Sequence, residues 1–164
     1  MASPQNSPVP VLICGVNPNA GHAPFLGGVE RWGMAWCRDD SFDAYFDPHD
    51  PWVRSRREYE ALEAPVYVMT GEAPNAVRYP IKEVTAVVGE YLECTTSFML
   101  GLAIYQGRTD ISLFGISGTE EYSYQRPNLE YLIGFARGQG AKVTFLSETT
   151  LLTSHWDAGI YGAR

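Results

Sequence analysis

One stretch constrains the fold more than any other: Thr109 to Leu146, TDISLFGISGTEEYSYQRPNLEYLIGFARGQGAKVTFL. Ile111, Leu113, Phe114 and Ile116 make a short, nearly continuous apolar run, the pattern of a strand covered on both faces. After a polar loop, Leu129, Leu132, Ile133 and Ala136 recur at i, i+3, i+4 and i+7, so one apolar stripe runs along a helix that can lie on that strand. Pro127 sits where a first helical turn tolerates proline, and Gly140 just past the end. Val143, Phe145 and Leu146 form the next strand. The segment therefore reads as a βαβ unit with a right-handed crossover, and its loop, Ser117 to Arg126, is where chemistry is expected.

The chain of 164 residues is long enough to bury a real core in one domain. Its formal charge of -7 argues against non-specific nucleic-acid binding, because counterion release needs clustered Lys and Arg and only Arg54, Arg56 and Arg57 cluster. Cys14, Cys37 and Cys94 share no CxxC spacing, so neither a disulfide framework nor a zinc site is indicated, and a reduced cytosol is the expected compartment. The opening MASPQNSPVP lacks the basic flank and apolar core of a signal peptide, and no apolar run approaches the roughly 20 residues of a membrane span. The expected organisation is a leader over 1–8, a domain over 9–152 and a tail over 153–164.

Val9 to Gly15 reads as the first strand, followed by the turn GVNPNAGH. In open parallel sheets ligands bind outside the carboxyl ends of strands, which makes Asn17 and Asn19 candidate ligand contacts; equally, they satisfy the turn. A GxGxxG fingerprint is absent, so a standard dinucleotide site is not supported. Glu30 to Trp36 and Phe42 to Phe46 are the next strands. The corner after them, DPHDPW, carries His49 between Asp47 and Asp50, a candidate proton shuttle or a surface histidine in a turn. Val53 to Glu63 reads as a solvated helix, Val66 to Met69 as a strand, Gly71 to Tyr79 as a loop, and Pro80 as the start of a helix with Ile81, Val84 and Val88 on one face. In ECTTSFMLGLAIYQG, Thr95, Thr96 or Ser97 can cap a helix whose Phe98 to Ile104 stretch is apolar on every side, as a helix in the centre of a domain must be. Those hydroxyls make a candidate anion site, and capping alone explains them as well.

The loop Ser117 to Asn128 is denser in polar groups. Tyr122 and Tyr124 can stack on a base or cap a sugar, Gln125 and Asn128 can read polar edges, and Arg126 opens a helix where it would meet phosphate. Glu120 and Glu121 repel an anion unless they point outward, bind sugar hydroxyls or hold a divalent metal. The alternative is a structural loop with Arg126 tied to Glu130 or Glu121. Beyond Leu146 the tail carries Leu151, Leu152, Trp156, Ile160 and Tyr161, which need a partner surface, either this domain or another subunit in a homo-oligomer.

In order along the chain, VLICGVNPN, Arg31-Trp32-Gly33-Met34, Phe46-Asp47-Pro48-His49, Thr95-Thr96-Ser97, Gly115-Ile116-Ser117 and Glu121-Tyr122-Ser123-Tyr124-Gln125-Arg126-Pro127-Asn128 resemble the motifs of a set of phage and prophage proteins of unknown function. The resemblance runs from about Val9 to Leu152. More distantly the same order is similar to small bacterial sialyltransferases that use a CMP-activated sugar, and to a pterin pyrophosphokinase-related group. The former resemblance implies nucleotide contacts at Gly15, Asn17, Thr96 and Ser97. Three departures stand out: Ala35 replaces a usual asparagine, Ser117 replaces a usual loop aspartate that would hold a metal or ribose, and no residue matches the sialyltransferase base.

These readings converge on a single Rossmann-like α/β domain, a mostly parallel sheet of five or six strands with helices on both faces. The expected ligand is a nucleotide or nucleotide-sugar held between the Asn17 turn, the Thr95 to Ser97 helix start and the Ser117 to Asn128 loop. Three functions remain open. One is group (glycosyl) transfer from an activated nucleotide, with His49 or Tyr124 moving a proton and Arg126 stabilising phosphate. The second is capture of a nucleotide signal in the host cytosol without turnover, and the third an assembly role through the aromatic tail.

Overall fold

The structure is a computed structural model and describes residues 8–16, 21–35, 41–49, 61–70, 73–118 and 124–153. Among them, seven strands form one sheet: β1 (Val11–Cys14), β2 (Glu30–Met34), β3 (Ala44–Asp47), β4 (Val66–Val68), β5 (Ala76–Arg78), β6 (Asp110–Phe114) and β7 (Lys142–Phe145). Their order is β5-β4-β3-β2-β1-β6-β7, and every pairing is parallel. The interior strand β1 pairs Val11 with Glu30 on one side and with Ile111 on the other. All four of its residues are buried, as the unbroken VLIC run requires of a strand covered on both faces.

Strand alternation sorts the core into two layers. Val11, Ile13, Trp32, Met34, Ala44, Phe46, Ile111, Leu113 and Val143 share one face with the helices α1 (Ile81–Val88), α2 (Thr95–Tyr105) and α3 (Arg126–Gly138). Leu12, Cys14, Tyr45, Val66, Val68 and Phe114 point the other way, onto Ala23, Leu26, Val29, Leu62, Ala64 and Ala73. The three helices among the described residues thus lie on one face, and connecting segments cover the other. Residues 21–29 of the β1–β2 connection, with three glycines and a proline, explain part of that: they turn rather than coil.

Apart from the 53–63 helix, the expected elements are present, with ends shifted by up to three residues, and the sheet holds one strand more than expected. β5 falls inside the stretch read as a loop. Its three residues are half-buried or exposed, so they leave no apolar run to recognise. Asn75 sets up the return from β4: its amide donates to the carbonyls of Leu62 and Ala64, while the Val66 N–H donates to the Asn75 carbonyl. Strands this short span roughly 10 Å, so residues 69–75 suffice to bring the chain back in parallel. Ala61 to Glu63 is not helical, and most of the expected 53–63 helix lies outside the described residues.

α2 is the helix that sequence reading placed at the centre. It packs on β1, β3, α1 and α3, and eight of its eleven residues are buried. At Gly101 an added Cβ would lie 3.0 Å from Val84 Cγ1 and 3.3 Å from the Tyr79 hydroxyl, so the α1–α2 approach depends on its missing side chain. At the amino edge of the sheet Arg108 pairs with Glu30 at 2.5 Å, lies over the Trp32 ring and donates to the Val9 carbonyl. No helix among the described residues is long and apolar enough to cross a membrane.

Candidate functional site

The chain steps outward from β1 to β5, then returns to place β6 on the other side of β1. The order reverses between β1 and β6, and at such a reversal the connections leave in opposite directions and open a crevice at the carboxyl ends. Gly15 and Gly115 follow these two strands and touch. The Gly15 N–H donates to the Phe114 carbonyl at 2.7 Å, and a Cβ built on Gly15 would lie 2.4 Å from the Gly115 oxygen. Gly115 has φ 67 and donates its N–H to Ser147 Oγ at 2.9 Å.

α2 brings its first turn to the same edge. Its last residues lead through Gly107 directly into the amino end of β6, so the helix runs against the strands and starts above their carboxyl ends. The cap is not one of the expected hydroxyls. Cys94 is the N-cap residue and forms a capping box with Ser97, whose hydroxyl donates to the Cys94 carbonyl at 2.7 Å and accepts the Cys94 N–H at 3.0 Å. Burial pushes the Cys94 thiol above its ordinary value, against the pull of hydrogen bonds from Ser97 and the Thr96 backbone. The sulfur thereby occupies N–H groups that an anion would otherwise use. Ser97, with no exposed surface, is spent on the cap. Thr95 and Thr96 are left; both residues are largely buried, their hydroxyls make no hydrogen bond to the chain among the described residues, and neither oxygen is a sealed atom without a partner.

α3 closes the other side of the crevice. Asn128 is fully buried in its first turn, donating its amide to the Tyr91 carbonyl and accepting the Glu93 N–H at 3.4 Å. It joins α3 to the segment that leads into α2 and has no surface to offer a ligand. Arg126 donates from Nε to Glu130 at 2.8 Å and from Nη2 to the Thr153 carbonyl at 3.0 Å, while the same Glu130 oxygen accepts the Leu152 N–H. The arginine is thus tied to Glu130, one of the two arrangements the sequence left open. Ser117 is held through its carbonyl, which accepts from the Thr150 N–H and from the Thr149 and Thr150 hydroxyls. Tyr124 is exposed, and its hydroxyl accepts from the Gln125 amide at 2.9 Å.

His49 follows β3, two strands from β1, at the same edge because the sheet is all parallel. Its Nδ1 lies 2.6 Å from Oδ1 of Asp47, a carboxylate with no exposed surface, while the imidazole is 47% exposed. Asp47 was legible only as a neighbour of His49, and the Asp-x-His spacing was its one signal. Asn17, Asn19 and Tyr122 lie outside the described residues, as do Glu120, Glu121 and the tail from Ser154. No cluster of three or more metal-binding side chains occurs among the described residues. Gly15, Thr95, Thr96 and the Gly115 to Ser117 turn therefore lie at the same carboxyl edge of the sheet, Ser97, Arg126 and Asn128 are engaged within the chain, and His49 stands to one side. Compared with known protein families, characterised proteins and solved structures, the chain has no significant match.

Proposed function

We propose that the protein binds a nucleotide or nucleotide-sugar in the crevice outside β1 and β6. The observation that carries this reading is the reversal of strand order at two abutting glycine turns, with the first turn of α2, where the Thr95 and Thr96 hydroxyls make no hydrogen bond to the chain among the described residues, at the same edge of the sheet. Ligands favour such crevices because backbone groups and a few polar side chains converge there without a crowding Cβ. Thr95 and Thr96 supply hydroxyls for phosphate or ribose oxygens. The sequence resemblance at Gly15 and Thr96 supports the same assignment.

A melting assay with mono-, di-, cyclic and sugar nucleotides tests it. Binding to the native state alone stabilises by about 2.7 kcal/mol at a hundredfold excess over Kd. For a domain of this length that is a rise of roughly 5–10 °C. The Thr95→Val/Thr96→Val double variant keeps shape and removes both hydroxyls, so it should fold and lose the rise. A parent protein unmoved by every nucleotide at millimolar concentration refutes the reading.

A further inference from the structure

We propose that the segment from Ser147 to Leu151 is a strap that fixes the Gly115 to Gly118 turn in the shape that receives the nucleotide, an inference that rests on binding at the switch point. The turn follows β6, with Gly15 against it on the β1 side and the strap, which follows β7, on the other. Gly115 donates its N–H to Ser147 Oγ at 2.9 Å. The Ser117 carbonyl accepts from the Thr150 N–H at 2.8 Å, the Thr150 hydroxyl at 2.9 Å and the Thr149 hydroxyl at 3.3 Å. The Thr150 hydroxyl also reaches the Gly118 carbonyl at 3.0 Å, so one proton is shared between two carbonyls of the turn. The Leu151 N–H donates to Thr149 Oγ1 at 3.1 Å, leaving that hydroxyl's proton for Ser117. Leu151 is buried in the core cluster that holds Ile116, and its Cδ2 would lie 2.8 Å from a Cβ built on Gly118.

Such support exceeds what reversing the chain needs. An ordinary surface turn closes with a bond between its own ends and leaves its other backbone groups to water. Here the bonds come from a segment that begins 32 residues further along the chain. That segment leaves through Leu152, the one non-glycine residue with positive φ, 58, among the described residues. A leucine keeps that conformation only where its surroundings impose it, and the Leu152 N–H is held on Glu130 at 2.7 Å. A binding turn fixed before the ligand arrives spares the ligand the cost of ordering it, which is what a rigid layer behind the contact layer supplies. Ser147, Thr149 and Thr150 are thus positioning residues: the ligand meets the turn, and the strap holds the turn still.

The experiment measures nucleotide affinity by calorimetric titration in the parent, Thr150→Val, Ser147→Ala and Thr150→Ser, with a melting curve for each. The probe is whichever of CMP, UMP, AMP, GMP and their diphosphate, cyclic and sugar forms raises the parent's melting point most. Thr150→Val keeps the side-chain shape and removes the shared hydroxyl, and Ser147→Ala removes the acceptor of the Gly115 N–H. Each should raise Kd by about fivefold or more, because the competent fraction of the turn falls. Thr150→Ser restores the hydroxyl and should restore Kd. Arg108→Ala breaks the pair with Glu30 at the opposite, amino edge of the sheet, so it lowers stability and should leave Kd unchanged. Linkage requires the reverse effect as well: saturating nucleotide should slow exchange of the Leu151 amide in the parent by about fivefold or more. That measurement needs no variant, so it keeps the test open if a substitution unfolds the protein. Unchanged Kd in folded Thr150→Val and Ser147→Ala, an equal loss of affinity in Arg108→Ala, or Leu151 exchange indifferent to nucleotide overturns the strap and leaves binding intact. A parent that no nucleotide stabilises refutes the binding reading itself, and the strap's role falls with it.

Discussion

Substituting Gly15 by alanine probes the place where the two sides of the crevice meet. The added Cβ would stand 2.4 Å from the Gly115 oxygen, 2.8 Å from Ile116 Cγ1 and 3.0 Å from the Gly115 carbonyl carbon. The nearest of these is backbone, so no rotamer change relieves it, and the ends of β1 and β6 must part by nearly an ångström. That movement stretches the 2.7 Å bond from the Gly15 N–H to the Phe114 carbonyl. Overpacking of this kind costs about 1–3 kcal/mol, and a lost hydrogen bond about 0.5–1.5 kcal/mol. Together they amount to about 2–4 kcal/mol, or a fall in melting point of roughly 5–15 °C for a domain of this size. Urea unfolding and a thermal melt of Gly15→Ala against the parent measure it, and the nucleotide-induced rise should shrink with the widened turn. A variant that melts within a degree of the parent would show that the two turns are not in contact and that the crevice has been placed wrongly.

Asn128→Ala removes the buried amide that serves the Tyr91 carbonyl and the Glu93 N–H, and should cost about 2–4 kcal/mol in chemical denaturation; a loss under about 0.5 kcal/mol would mean water replaces it at no cost. Arg126→Ala frees Glu130 and the Thr153 carbonyl, so stability should fall by about 1–2 kcal/mol while the nucleotide-induced rise persists. Loss of that rise would return Arg126 to the ligand. Alkaline pH should destabilise the protein: burial raises the Tyr79 hydroxyl, the Tyr67 hydroxyl and the Cys94 thiol above their ordinary values. The native state then holds these protons more tightly than the unfolded chain does. Stability present below the ordinary thiol and tyrosine values is lost as pH climbs through them. Urea midpoints between about pH 8 and 10.5 read the slope, which should flatten in Tyr79→Phe, and an unchanged slope refutes the assignment to Tyr79.

The elements that the sequence disclosed are those whose burial is symmetrical or strongly one-sided. β1 and β6 are apolar runs, α3 carries its stripe, and α2 is apolar all round because it touches helices and sheet together. β5 left no trace because an exposed edge strand of three residues owes its conformation to Asn75 and the β4 backbone rather than to its own side chains. The site was legible as a place and not as a set of roles. Thr95, Thr96 and Ser97 are interchangeable caps on paper, and only the position of Cys94 decides that Ser97 is consumed and the threonines are not. Asn128 and Arg126 likewise look like ligand contacts until their partners, distant in sequence or on the next helical turn, are known.

The same lack of a polar side in α2 governs how the molecule can assemble. A helix with no face for water gains nothing by forming alone, since isolated helices of this length are marginal even with favourable sequences. Its walls come from β1 and β3 far upstream, α1 just before it and α3 downstream, so none of the consecutive pieces of the chain supplies them all. The β1–β6 pairing adds the same demand by joining Val11 to Ile111. Formation of the centre must await closure of loops that span most of the polypeptide, which places folding toward the slow, non-local end of single-domain kinetics. Until then the most apolar helix of the chain has no shelter, and its stickiness sets the hazard of synthesis at high concentration.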